Sequence, residues 1–167
     1  MVTVDDVRRL REETGAGVMD AKRALEEAGG DFERARTLLR ERGIAAAARR
    51  AERATGQGVV EAYIHGAGRI GALVELNCET DFVARTDAFR ALARDLAMQV
   101  AAMDPLALLP EDVPADVVGD RAQHALLTQA FIKDGSRNIQ ELIQDVIAQT
   151  GENIRVARFA RFELGRP

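Results

Sequence analysis

The run Val60-Glu61-Ala62-Tyr63-Ile64-His65-Gly66-Ala67-Gly68-Arg69-Ile70-Gly71-Ala72-Leu73-Val74-Glu75-Leu76-Asn77 changes the periodicity of the chain. Val60, Ala62 and Ile64 alternate with Glu61, Tyr63 and His65; Ile70, Ala72, Val74 and Leu76 then alternate with Gly71, Leu73, Glu75 and Asn77. A period of two marks a strand with one buried face. His65 to Arg69 reads as a turn, so the two runs form an antiparallel hairpin. Gly66 to Gly71 also fits G-x-G-x-x-G to the letter. A dinucleotide site needs a helix to open there and offer its amide groups to the pyrophosphate. The strand pattern continues through these glycines instead, which argues against such a site.

Upstream of the hairpin the period is helical. Val4, Val7, Leu10 and Arg11 follow helical spacing until Gly15-Ala16-Gly17; Val18, Ala21, Leu25 and Ala28 share a second face until Gly29-Gly30. Asp31 sits where an N-cap belongs, and Phe32, Ala35, Leu38 and Leu39 face inward until Gly43. Three short helices with glycine joints make a compact bundle. A unit this small has a thin core, which suits binding better than enclosing a substrate. Ile44 to Thr55, rich in Ala and Arg, reads as a helical connector.

Downstream, Thr86 caps a helix from Asp87 to Met103 with Phe89, Leu92, Leu96, Val100 and Met103 on one stripe. Pro105, Pro110 and Pro114 break the chain into a surface loop. A helix is expected from about Asp120 to Ala130 and another from Ile139 to Gln149, with Leu142, Ile143, Val146 and Ile147 inward. Ile154 to Leu164 is rich in β-branched and aromatic residues and reads as a third strand beside the hairpin. The expected fold is α+β: a three-helix docking domain with its connector over 1–54, then over 55–167 a three-stranded antiparallel sheet covered by helices.

The 167 residues are 47% apolar, with 23 basic and 27 acidic side chains, one cysteine and no tryptophan. Collagen-like, disulfide-scaffold and disordered classes are excluded. A net charge of -4 argues against a nucleic-acid binder. One cysteine forms no internal disulfide, Met1 to Arg11 lacks the apolar core of a signal peptide, and no run matches a membrane span. A soluble cytoplasmic protein is expected.

No catalytic set emerges. A cysteine hydrolase would need Cys78 beside His65 or His124, and Cys78 and His65 fall at opposite ends of the hairpin. Two histidines and one cysteine do not make a zinc site. Glu79 and Asp81 are near neighbours in a chain with 27 carboxylates. Asn77-Cys78-Glu79-Thr80-Asp81-Phe82-Val83-Ala84-Arg85 lies between a strand and a helix, where connections run over the surface. Phe82 either folds back under the helix or projects as an anchor for a partner pocket.

Val7-Arg8-Arg9-Leu10-Arg11-Glu12-Glu13-Thr14-Gly15-Ala16-Gly17-Val18-Met19-Asp20 resembles the N-terminal signature of the bacterial elongation factor Ts family, and Lys22 to Leu25 and Gly30-Asp31 continue it. Leu76 to Arg85 is similar to the family's second signature. Ile147 to Ile154 and Arg158 to Gly165 resemble its C-terminal block. The resemblance implies a bundle of ubiquitin-associated type and a guanine-nucleotide exchange factor for elongation factor Tu, working without cofactor, metal or covalent chemistry. It places docking at Thr14, Gly15, Ala16, Gly17, Val18 and Met19. It places disturbance of the partner's magnesium site at Thr80, Asp81, Phe82 and Val83, with Phe82 as a wedge and Asp81 holding the adjoining partner segment.

The chain departs from the family between Ala115 and Ala130, where other members carry further helical sequence. Val59, Tyr63, Leu73 and Phe159 are apolar alternate positions and suggest that the sheet's second face needs cover. Short members of the family pair as homodimers, so the resemblance implies a dimer here, without membrane or direct nucleic-acid contact. The alternative reading is a protein-binding module of ubiquitin-associated type that does not drive exchange, for which Thr80 to Val83 has no use.

Overall fold

The computed structural model describes residues 2–167, so Met1, the first residue of the expected docking domain, lies outside it. Two compact units are formed, one by the residues up to Arg53 together with Gln144–Asn153, the other by Ala54–Ile143 with Ile154–Pro167.

The first unit holds helices α1 (Val4–Thr14), α2 (Val18–Glu27) and α3 (Phe32–Arg50). Thr3 and Asp6 close a capping box at the start of α1. Gly15 ends that helix in the left-handed region at φ 69°, donating its N–H to the Arg11 carbonyl. Leu10, Ala21, Ala24, Leu25, Ala28 and Ala35 are buried as one cluster, with Val7, Phe32, Leu38 and Leu39 packed around it. Val4 and Val18, expected on the inner faces, point into solvent. α3 does not stop at Gly43 but continues to Arg50. One interior glycine costs only about 1 kcal/mol, and the good helix formers on both sides outweigh it. Buried Asn153 receives the end of this segment, donating Nδ2 to the Ala51 and Arg53 carbonyls at 3.2 and 2.9 Å.

The second unit is built on β1 (Gln57–His65), β2 (Ile70–Cys78) and β5 (Ile154–Glu163), antiparallel in the order β1-β2-β5. Helix α5 (Asp87–Met103), capped by Thr86, packs across one face of the sheet. Phe89, Leu92, Leu96 and Val100 are buried along it, and Met103 lies half exposed past the edge of the core. Opposite α5 the sheet contributes Ala72, Val74, Leu76 and Cys78 from β2.

Register decides which residues share a face. Val59 pairs with Leu76, Tyr63 with Ala72, and Phe159 with Val74, all on the covered side. Of the four positions expected on the second face, only Leu73 lies there, because it pairs with Ala62 and Ala160. The open face consists of Val60, Ala62, Ile64, Leu73, Ala160 and Phe162, with Glu75 and Arg158 paired at 2.7 Å at one end. Alternation along one strand cannot say which parity meets the helix. In β5 the parity also changes, since a bulge lies between Val156, opposite Leu76, and Arg158, opposite Glu75.

The helix expected over 120–130 is absent. Two short 3-10 turns, Arg121–His124 and Leu126–Thr128, take its place, followed by a small hairpin of β3 (Ala130–Phe131) and β4 (Asp134–Asn138) that the periodicity did not indicate. Tertiary backbone bonds outcompete helical ones here. Leu106 N–H reaches the His124 carbonyl at 2.8 Å, and Leu126 N–H reaches that of Ala107 at 2.9 Å. Buried Gln99 of α5 donates to the Gln129 side chain and the Ala130 carbonyl, and accepts from Ile132 N–H. Asn138 and Glu141 then form a reciprocal cap on α6 (Ile139–Thr150).

Candidate functional site

Strand β2 ends at Cys78, and the chain turns at once into α4, a single helical turn over Asp81–Ala84. Thr80 is extended (φ -125°, ψ 154°), and its Oγ1 accepts from Val83 N–H at 3.3 Å. Six residues on, the Thr86 hydroxyl donates to the Val83 carbonyl at 2.7 Å and accepts from Phe89 N–H at 3.3 Å, which fixes the corner between α4 and α5. Val83 and Ala84 are buried beneath this corner. Phe82 is 77% exposed. Of the two readings left open by its sequence, projection is therefore the one observed.

The geometry follows from the helical turn. With Val83 and Ala84 turned toward the sheet, the preceding two positions, Asp81 and Phe82, must point away from it. Asp81 pairs with Arg85 at 3.0 Å, both side chains in solvent. A rigid aromatic ring beside a carboxylate, carried on a corner closed by two threonine hydroxyls, offers a binding anchor. Among the described residues no group of three or more His, Cys, Asp or Glu could hold a metal ion.

The earlier candidates are separated by the fold. Gly66 to Gly71 occupy the hairpin turn and the start of β2, and no helix opens there. Gln57 pairs with Cys78 and His65 with Ile70, so Cys78 and His65 lie the whole hairpin apart, roughly 27 Å. His65 instead stacks on Tyr63, whose hydroxyl meets its Nδ1 at 3.2 Å. His124 closes a 3-10 turn.

The second set of candidate residues, Thr14 to Met19, joins α1 to α2. Thr14 Oγ1 donates to the Leu10 carbonyl at 2.6 Å and accepts from Ala16 N–H at 3.3 Å, and Gly17 is the N-cap of α2. Val18 and Met19 follow, 55% and 57% exposed. Gln149 of α6 lies against this turn; a methyl group built on Gly15 would come within 2.6 Å of its Nε2. Gln149 lies within the C-terminal stretch that resembles the family, but no local pattern places it at this turn, and Thr86 stood out only as a helix cap.

The family model described as Elongation factor TS matches residues 41–125. The chain is 49% identical to the Elongation factor Ts of Carboxydothermus hydrogenoformans, covering 99% of this chain and 90% of that protein. It is 46% identical to that of Thermotoga petrophila over 98% and 96%, and 44% identical to that of Rubrobacter xylanophilus over 96% and 98%. The chain belongs to the elongation factor Ts family. It is thus a translation elongation factor by kinship, and both signature turns of elongation factor Ts carry exposed apolar side chains here. The alignment with the Carboxydothermus protein extends over 195 residues against 167 in this chain, so the relative carries residues that this chain lacks.

Proposed function

We propose that this protein is the guanine-nucleotide exchange factor for elongation factor Tu, acting in the cytoplasm without covalent chemistry. The exposed Phe82 on its doubly capped corner supports this reading most directly. An exposed ring gives nothing to the stability of a free chain, so its place is explained by a partner pocket. Thr14 to Met19 dock on the nucleotide-binding domain of elongation factor Tu through Val18 and Met19. Phe82 wedges between partner helices, and the Asp81 carboxylate takes up the adjoining partner segment. With the partner's magnesium disturbed, the charge of the diphosphate is less compensated and GDP departs faster.

The requirement on energy is modest. Weakening nucleotide binding by about 100- to 10,000-fold needs roughly 3–5.5 kcal/mol of coupling. Coupling is reciprocal, so GDP expels the factor as strongly as the factor expels GDP. The deciding experiment is stopped-flow release of labelled GDP from elongation factor Tu with and without the chain. Acceleration that saturates with chain concentration is expected. Binding without acceleration would replace this reading with that of a docking module of ubiquitin-associated type.

The open sheet face supports a homodimer. Val60, Ile64, Leu73 and Phe162 are exposed together with Ala62 and Ala160 across three strands, an apolar patch with no cover within the unit. Two copies that stack these faces bury it symmetrically. Light scattering is expected to give twice the chain mass, and Phe162→Lys to give the monomer mass; a monomer at every concentration would overturn the dimer.

A further inference from the structure

Cys78 takes no part in the wedge or in docking, yet it sits directly behind the exchange corner. It is the last residue of the central strand, paired with Gln57 on one side and Ile154 on the other, and it is fully buried. Its Sγ–H donates to the Thr80 carbonyl at 3.1 Å. The same carbonyl oxygen accepts from Ala84 N–H at 3.3 Å, so its two lone pairs join the sheet to the last residue of α4. A helix of a single turn does not hold its own shape in water and takes its orientation from what fastens it. The Thr80 and Thr86 hydroxyls fasten this turn to itself and to α5. The thiol fastens it to the sheet.

We propose that Cys78 is a positioning residue for exchange: its thiol fixes the Thr80 carbonyl and thereby the direction in which Phe82 projects. The proposal rests on the exchange reading given above. It assigns the cysteine a role as hydrogen-bond donor, where a buried cysteine ordinarily serves as a small apolar filler.

Two substitutions separate the roles. Cys78→Val keeps an apolar side chain of similar size and removes the donor. Cys78→Ser keeps a donor and makes the site smaller and more polar. If the thiol positions the corner, Val slows GDP release at saturating chain by about 3- to 10-fold, in keeping with one lost hydrogen bond, with half-saturation moved less than 2-fold. Ser stays within about 2-fold of the unchanged chain. A filler role gives the opposite order, Ser worse than Val, and that order overturns the proposal.

Amide hydrogen exchange adds a readout that needs no partner. In Cys78→Val the Ala84 amide exchanges about 3- to 10-fold faster while the α5 amides keep their rates; an unchanged Ala84 rate overturns the proposal. If the unchanged chain fails to accelerate GDP release, the exchange reading itself falls and this role falls with it, whatever the amide rates. If Phe82→Ala slows release while Cys78→Val does not, the exchange reading stands and only the role of Cys78 is lost.

Discussion

The turn at Thr14 to Met19 and the corner at Thr80 to Val83 both push apolar side chains into water, by different means. At the first, a left-handed glycine stops one helix and Gly17 starts the next, so Val18 and Met19 begin α2 without a side-chain cap. At the second, two threonine hydroxyls and a thiol hold a single helical turn between a strand and a long helix. One presentation depends on backbone freedom and the other on polar fastening. Under the proposed exchange reading, a surface that only has to dock tolerates some give. A ring that has to wedge loses its purpose if it can swing away.

Four measurements test that contrast, beginning with the largest effect. Phe82→Ala is expected to slow GDP release from elongation factor Tu by about 10- to 100-fold at saturating chain, with thermal unfolding unchanged because the ring is exposed. An unchanged rate would remove the wedge. Replacing Val18 and Met19 together by Ser is expected to raise the chain concentration for half-maximal release about 5- to 20-fold and to leave the saturated rate alone. A loss of saturated rate there would mean that the two sites do not divide docking from exchange.

Gly15→Ala should cost about 1–2 kcal/mol of stability by denaturant unfolding, since a Cβ at positive φ is strained and the Gln149 amide must move aside. Thr80→Ala should cost about 1 kcal/mol through its lost cap, while slowing release more than Gly15→Ala does. The reverse ranking in release would undo the claim that polar fastening belongs to the exchange corner.

Acid gives the smallest effect. Glu13 sits next to the Thr14 to Met19 turn, and hydrogen bonds from Arg36 and then Arg9 hold its carboxyl below the usual glutamate value. Thr3 does the same for Asp6 at the start of α1, through its backbone N–H first and then its hydroxyl. Both folded-state values are depressed. Their contribution is therefore full above the unfolded-state values of 4.5 and 3.8, and is lost as pH falls through the lower folded values. Urea midpoints measured from about pH 6 down to about pH 2 should fall, and Glu13→Gln should flatten the fall. A steeper fall in that variant would show that the ion pairs do not stabilise the bundle.

Much of this was legible in the residues. The switch from period 3.6 to period 2 in the run from Val60 to Asn77 located the hairpin, and Thr86 and Asp31 marked helix starts because short side-chain oxygens satisfy the free N–H groups there. The matches at Thr14 to Met19 and Thr80 to Val83 drew attention to the two turns. Three things were not legible, each because it depends on distant partners. The segment 120–131 folds against Ala107, Leu108 and Gln99 rather than on itself. The parity of β5 depends on a bulge that shows only in pairing with β2. The direction of Phe82 depends on Val83 and Ala84 finding room beneath the corner, and no local pattern encodes that.

The bulge in β5 has a consequence for how the sheet tolerates change in chain length. Before it, even-numbered positions, Ile154 and Val156, face α5; after it, odd-numbered ones do, Phe159 and Arg161. Ala157 is the surplus residue of the bulge, so deleting it would join Val156 to Arg158 in unbroken alternation, as dropping an uncounted beat leaves a metre intact. Every side chain downstream would keep its side, with Phe162 still outward opposite Gly71 and Arg161 still beside the Ala101 carbonyl and Asp104. The ten-residue strand thus holds one residue in reserve, and the sheet keeps its adhesive side through the loss of it.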